Sequence, residues 1–110
     1  MKRRCERQHT FLENMIDRVF KLLPMRELED MGEETFLGEY LQELAIEANG
    51  AYFSFPELSK KAKYVSVTNT LQYMRQHWSE MEFAAFRRSV LKMTNILAGM
   101  AEEAAQEAAR

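Results

Sequence analysis

One cysteine, two histidines, two prolines and four glycines in 110 residues leave little of the material from which small proteins build chemical sites. The lone Cys5 cannot close an internal disulfide, and with no C-x-x-C pair or Cys/His cluster there is nothing from which to assemble a zinc site. His9 and His77 lie far apart, and neither stands in H-E-x-x-H spacing, so no metal ligands are assigned. The glycines are scattered at 32, 38, 50 and 99, which excludes a Gly-rich loop cradling a phosphate. No catalytic or cofactor-binding residue is assigned, and a non-enzymatic protein without a cofactor is expected. Long apolar runs are missing too. Nothing approaches the roughly 18 consecutive apolar residues of a membrane span. The basic start MKRRCERQHT is followed by Glu13 and Asp17 rather than an apolar core, so it does not read as a signal peptide. A reducing compartment, the cytoplasm by default, is the expectation.

What is present is ordinary globular composition, 46% hydrophobic and 29% charged, at a length that fits one domain with one core. Phe11, Leu12, Met15, Ile16, Val19, Phe20 and Leu23 fall at helical spacing and predict a first helix over 8–22, ended by Pro24. Asp30 stands three residues before Glu33, a capping-box spacing that opens a second helix over 31–49. Its apolar side is Phe36, Leu37, Tyr40, Leu41, Leu44, Ala45 and Ala48, and Asn49-Gly50 is suited to close it. The segment 51–58 (AYFSFPEL) reads as a packed corner in which Pro56 opens a helical turn. Tyr64, Val67, Thr68, Leu71 and Met74 give a third helix over 60–77, and Ser79-x-x-Glu82 is a second capping box. The fourth helix, from 79 to about 108, carries Phe83, Phe86, Val90, Met93, Leu97, Met100 and Ala104 in alternating three- and four-residue steps. With no strand pattern or repeat, the expected fold is all-α: a small four-helix bundle with a long C-terminal helix. Residues 1–8 are expected to be a basic arm. Residues 101–110, Ala- and Glu-rich, should overhang and fray, or pair with a second copy in a homodimer.

Charge is segregated along the chain. Residues 2–26 hold seven Lys/Arg against three Asp/Glu; residues 27–57 hold nine Asp/Glu and no Lys or Arg; residues 58–92 hold seven basic against two acidic. Within the second helix Glu39, Glu43 and Glu47 recur every four residues, a like-charge spacing that costs about 0.2–0.5 kcal/mol per pair. Lys60, Lys61 and Lys63 stand at the start of the third helix, where the macrodipole disfavours cations. The row of carboxylates has two structural readings, an internal pairing with those lysines across a hairpin and a solvated face. Its functional reading is a surface for a basic partner. Lys60, Lys61, Lys63, Arg75, Arg87, Arg88 and Lys92 raise the alternative of a nucleic-acid face, against which stand a negative net charge and no DNA- or RNA-binding signature.

Four smaller features have a structural and a functional reading each. Cys5 among Lys2, Arg3, Arg4 and Arg7 is either an incidental thiol or a reactive one. Met15, Met74, Met93 and Met100 fall on buried stripes and read as core filler rather than an adaptable binding surface. His77 beside Trp78 reads as a pair covering the bundle end. Tyr52, Phe53 and Phe55 either seal the corner or form an exposed apolar patch, with sealing the favoured reading.

The runs FLENMIDRVFKLLPM (Phe11–Met25), FLGEYLQEL (Phe36–Leu44), FPELS (Phe55–Ser59) and VTNTLQYM (Val67–Met74) resemble those of short uncharacterised proteins encoded on phages and integrative elements of Gram-positive bacteria. The resemblance covers most of the chain apart from the basic start and the Ala/Glu tail. It implies a setting in which small proteins act by binding a host or element protein, inhibitors of host defence nucleases among them; it carries no catalytic or binding residue with it. The expected function is therefore a protein-interaction module using Glu39, Glu43 and Glu47. A nucleic-acid accessory protein using Lys60, Lys61, Lys63, Arg87, Arg88 and Lys92 is the alternative.

Overall fold

Apolar residues at three- and four-residue steps draw almost the whole chain into helices, and the computed structural model describes residues 2–110. Helix α1 spans Lys2–Phe20, α2 Leu22–Asp30, α3 Leu37–Ser54, α4 Ala62–His77 and α5 Phe83–Ala109. Short 3-10 turns at Pro56–Lys60 and Trp78–Glu80 join α3 to α4 and α4 to α5. No strand occurs among the described residues. Helices α1 and α2 form one arm, so the fold is an all-α bundle of four arms running up, down, up and down, with the long helix last.

Pro24 does not end the first arm. It occupies the third position of α2, where its missing N–H is one that a helix start leaves unbonded anyway. Its effect falls four residues back: Phe20 loses the donor its carbonyl would need, and the helix breaks for one residue, Lys21.

Neither expected capping box forms. Asp30 accepts from Arg26 within α2, and α3 starts only at Leu37. Between them Glu29 pins the connection, accepting from the Thr35 N–H at 3.0 Å and the Thr35 hydroxyl at 2.8 Å. These bonds, the backbone one first, hold the Glu29 carboxyl below the usual carboxylate range. At the other site Ser79 lies in the 3-10 turn, and Glu82 is the residue before α5, its carbonyl accepting from Phe86 N–H at 3.0 Å. Asn49-Gly50 fails to stop α3 because Ala51 and Phe55 continue its buried side.

The core is a single cluster in which Leu12, Met15, Val19, Leu41, Leu44, Leu58, Val67, Leu71, Met74, Met93 and Leu97 are buried, the expected role of three of the four methionines singled out. Met100 completes that set. On α5 the buried positions Phe86, Val90, Met93, Leu97, Met100 and Ala104 reproduce the expected seam apart from Phe83, which is the first residue of the helix and only partly buried.

Its partner along that seam is α1, and this corrects the arm and the overhang. The helix begins at Lys2, not at 8, so α1 and α2 together match the roughly 40 Å of α5. His9 Nδ1 lies 2.9 Å from the Ala101 carbonyl, and the Cys5 thiol points to Glu107 at 3.6 Å. Ala101 and Ala104 are buried beneath them. The seam that a second copy could have used is thus covered within the chain.

One buried cation locks the end of the bundle. Arg26, 7% exposed, donates to the carbonyls of Trp78 at 3.0 Å and Met81 at 2.6 Å and to Asp30 at 3.0 Å, with its guanidinium 5.0 Å from the Phe86 ring centre. It gives the Met81 carbonyl its partner and adds a second donor to the Trp78 carbonyl, which already accepts from the Met81 N–H at 3.3 Å across the tight α4–α5 turn. At the opposite end Tyr64, fully buried, donates to the Ala48 carbonyl at 2.5 Å and ties α4 to α3.

Candidate functional site

The three candidate glutamates all stand exposed on α3, yet they are not equivalent. Glu47 forms an ion pair with Arg18 of α1, and the Arg18 guanidinium lies 6.0 Å from the Tyr40 ring, whose hydroxyl donates to the Arg18 carbonyl at 2.6 Å. Burial is the main cause that raises the Tyr40 phenol above its ordinary value, and the Arg18 charge works against it. Glu39 and Glu43 make no ion pair and accept no side-chain hydrogen bond among the described residues.

The expected pairing of this row with Lys60, Lys61 and Lys63 does not form. Helix α3 runs on to Ser54 and is followed by the 3-10 turn, so those lysines lie past the end of the row. Of the three, Lys61 acts on Glu57, and Arg4 is that carboxylate's partner: Nη2 and Nε reach the two carboxylate oxygens at 2.8 and 3.2 Å, and Gln8 adds a bond at 3.0 Å. The Arg4 hydrogen bond is the first cause that holds Glu57 below the usual carboxylate range, with Lys61 contributing weakly.

The basic residues of the alternative are carried by two helices and the turn before one of them. Lys60, Lys61 and Lys63 gather at the N-terminal end of α4. Arg88 lines a cleft with Tyr73, His77, Glu80 and Ser89 at the C-terminal end of the same helix, about 20 Å away at 1.5 Å per residue. Arg87 and Lys92 flank Arg88 on α5. His77 stacks on Tyr73 rather than Trp78, with ring centres 4.6 Å apart, and Arg75 hydrogen-bonds Gln72 on its own helix. No group of three or more His, Cys, Asp or Glu side chains suited to a metal occurs among the described residues.

The aromatic corner splits. Phe55 is buried and packs on Phe11, and Tyr52 meets Tyr64 edge-on at 5.4 Å, so these two seal the bundle as expected. Phe53 points the other way and is 91% exposed. About two turns earlier, Ile46 is 62% exposed. At 3.6 residues per turn Glu39, Glu43, Ile46, Gly50 and Phe53 fall within about 80° of arc, opposite the buried Leu41, Leu44 and Ala48. The apolar residues of α3 are therefore not confined to the core side.

Gly50 sits between the two exposed side chains, and nothing in the fold requires it. Its φ is not positive, and a Cβ there would meet no atom within 4 Å. A glycine inside a helix costs about 0.5–1 kcal/mol relative to alanine. Ile46 and Gly50 escape a search for apolar stripes because each looks like noise beside Leu44, Ala45 and Ala48. The signal that reveals them is the seven-residue interval from Glu39 to Ile46 to Phe53, which puts two large apolar side chains in line with a carboxylate.

Comparison with protein-family models, curated proteins and solved structures finds no match to this chain. No helix among the described residues is long and apolar enough to cross a membrane.

Proposed function

We propose that this protein is a non-enzymatic interaction module, of phage or mobile-element origin, that binds a host or element protein through the outer face of α3. The observation that carries the reading is the company kept by the unpaired carboxylates Glu39 and Glu43: Ile46 and Phe53 project into solvent on the same arc. Carboxylates alone would be a solvated face. Large apolar side chains beside them give a partner surface to bury, while the charge selects a basic partner and steers it. A negative net charge and the lack of a DNA- or RNA-binding signature speak against the nucleic-acid alternative.

The test compares three baits in lysate of the natural host: the wild type, Glu39→Lys/Glu43→Lys, and Arg87→Glu/Arg88→Glu. The expected result is a retained protein that salt elutes, lost with the first variant and kept with the second. Loss with the α5 variant alone, or a low-salt gel shift with purified DNA or RNA, would contradict it.

A further inference from the structure

We propose that the occupant of this face is a single amphipathic α-helix of the partner protein, crossing α3 over Gly50. Its apolar side would lie between Ile46 and Phe53, and its Lys/Arg-bearing end along Glu43 and Glu39. The inference rests on the reading of α3 as a binding face and specifies what it binds.

Three observations lead to a helix. Ile46 and Phe53 are seven residues apart, about 10 Å along the axis, which is two turns and brings anchors at i, i+3 or i+4, and i+7 of a facing helix into register. An extended strand covers that distance in about three residues, whose side chains then point to opposite faces, so it could not contact both. No strand among the described residues offers an edge for an added strand either. Gly50 supplies the third: a bare patch of backbone at the midpoint of the two anchors, open to solvent, where a crossing helix can approach more closely than over any other residue.

Charge sets the direction. Glu39 and Glu43 lie on the N-terminal side of both apolar anchors, Ile46 and Phe53, so the face is acidic at one end and apolar at the other. The occupant is correspondingly basic at one end. About four turns of helix span the distance from Glu39 to Phe53. A second copy fits less well, because two faces from the segment 27–57, with nine acids and no bases in each, would be brought together.

The test is selection of random 18-residue display peptides on the immobilised full chain, with Ile46→Lys/Phe53→Lys as the counter-target. Both side chains are exposed, so the variant should keep its fold, which circular dichroism checks. Expected are peptides with apolar residues at three- and four-residue spacing and Lys/Arg at one end. They should gain helicity on titration, and lose about tenfold or more in affinity to Gly50→Leu and to Glu39→Gln/Glu43→Gln.

Basic peptides without periodicity that tolerate Gly50→Leu would overturn the helical occupant and leave the acidic face standing. Peptides indifferent to every α3 variant, or no enrichment at all, would overturn both. Self-association of the chain, abolished by Phe53→Lys in sedimentation, would replace the partner helix with a second copy.

Discussion

The two basic blocks of this chain end in opposite circumstances. In the first, Arg4, Arg18 and Arg26 each close on a partner from another element: Glu57, Glu47 and the carbonyls of Trp78 and Met81. In the second, Lys60, Lys61, Lys63, Arg87, Arg88 and Lys92 make no ion pair among the described residues. The difference is one of adjacency. Helix α1 lies against α3 and the turn after it, so the acidic segment is neutralised from that side, leaving the α3 face turned away from α1 with Glu39 and Glu43 unmatched. Segregated charge along a sequence is thus partly an instruction for which arms pack together and partly a remainder on the surface.

Arg26 should break the comparison most severely. Arg26→Met keeps the aliphatic bulk but strands the Met81 carbonyl and removes the charged donor to Trp78 and Asp30, and urea unfolding should show a loss of about 2–4 kcal/mol. Gly50→Ala should act in the opposite direction, raising stability by about 0.5–1 kcal/mol in the same assay, because the fold does not use the missing side chain. If that variant is destabilised, Gly50 has a structural duty.

The acid limb sharpens the contrast further. Glu29 and Glu57 are held low in the folded state, so the stability they confer is present above the unfolded value of about 4.3 and is lost as pH falls through their folded values. Urea midpoints taken between pH 5 and 2.5 should therefore fall less steeply in Glu57→Gln than in the wild type. Equal slopes would mean that the Arg4 clamp does not persist in solution.

Much of the architecture was legible because it rests on periodicity. The α5 seam from Phe86 to Ala104 and the stripe on α1 are repeated signals, and repetition averages out local exceptions. Boundaries were not, because each depends on one side chain choosing among competing partners. Asp30 has the spacing of a cap but bonds Arg26, while Glu29 reaches across the connection to Thr35, just before α3. The N-terminal part of α1 was hidden for another reason: its polar contacts run from Cys5 to Glu107, from His9 to the Ala101 carbonyl and from Gln8 to Glu57, so no apolar periodicity announces it. Of the candidate site, the carboxylates could be read from spacing alone. That Glu47 is paired while Glu39 and Glu43 are free depends on where Arg18 lands, which only the packed bundle decides.

That distinction within one row is the most direct thing to measure. At low ionic strength, urea unfolding of Glu47→Gln should show a loss of about 0.5 kcal/mol, as befits a half-exposed pair. Glu39→Gln/Glu43→Gln should be as stable as the wild type or more so, by about 0.2–0.5 kcal/mol, since it relieves like charges that nothing opposes. A double variant less stable than the wild type would mean that these carboxylates serve the fold, and the binding face on α3 would lose its foundation.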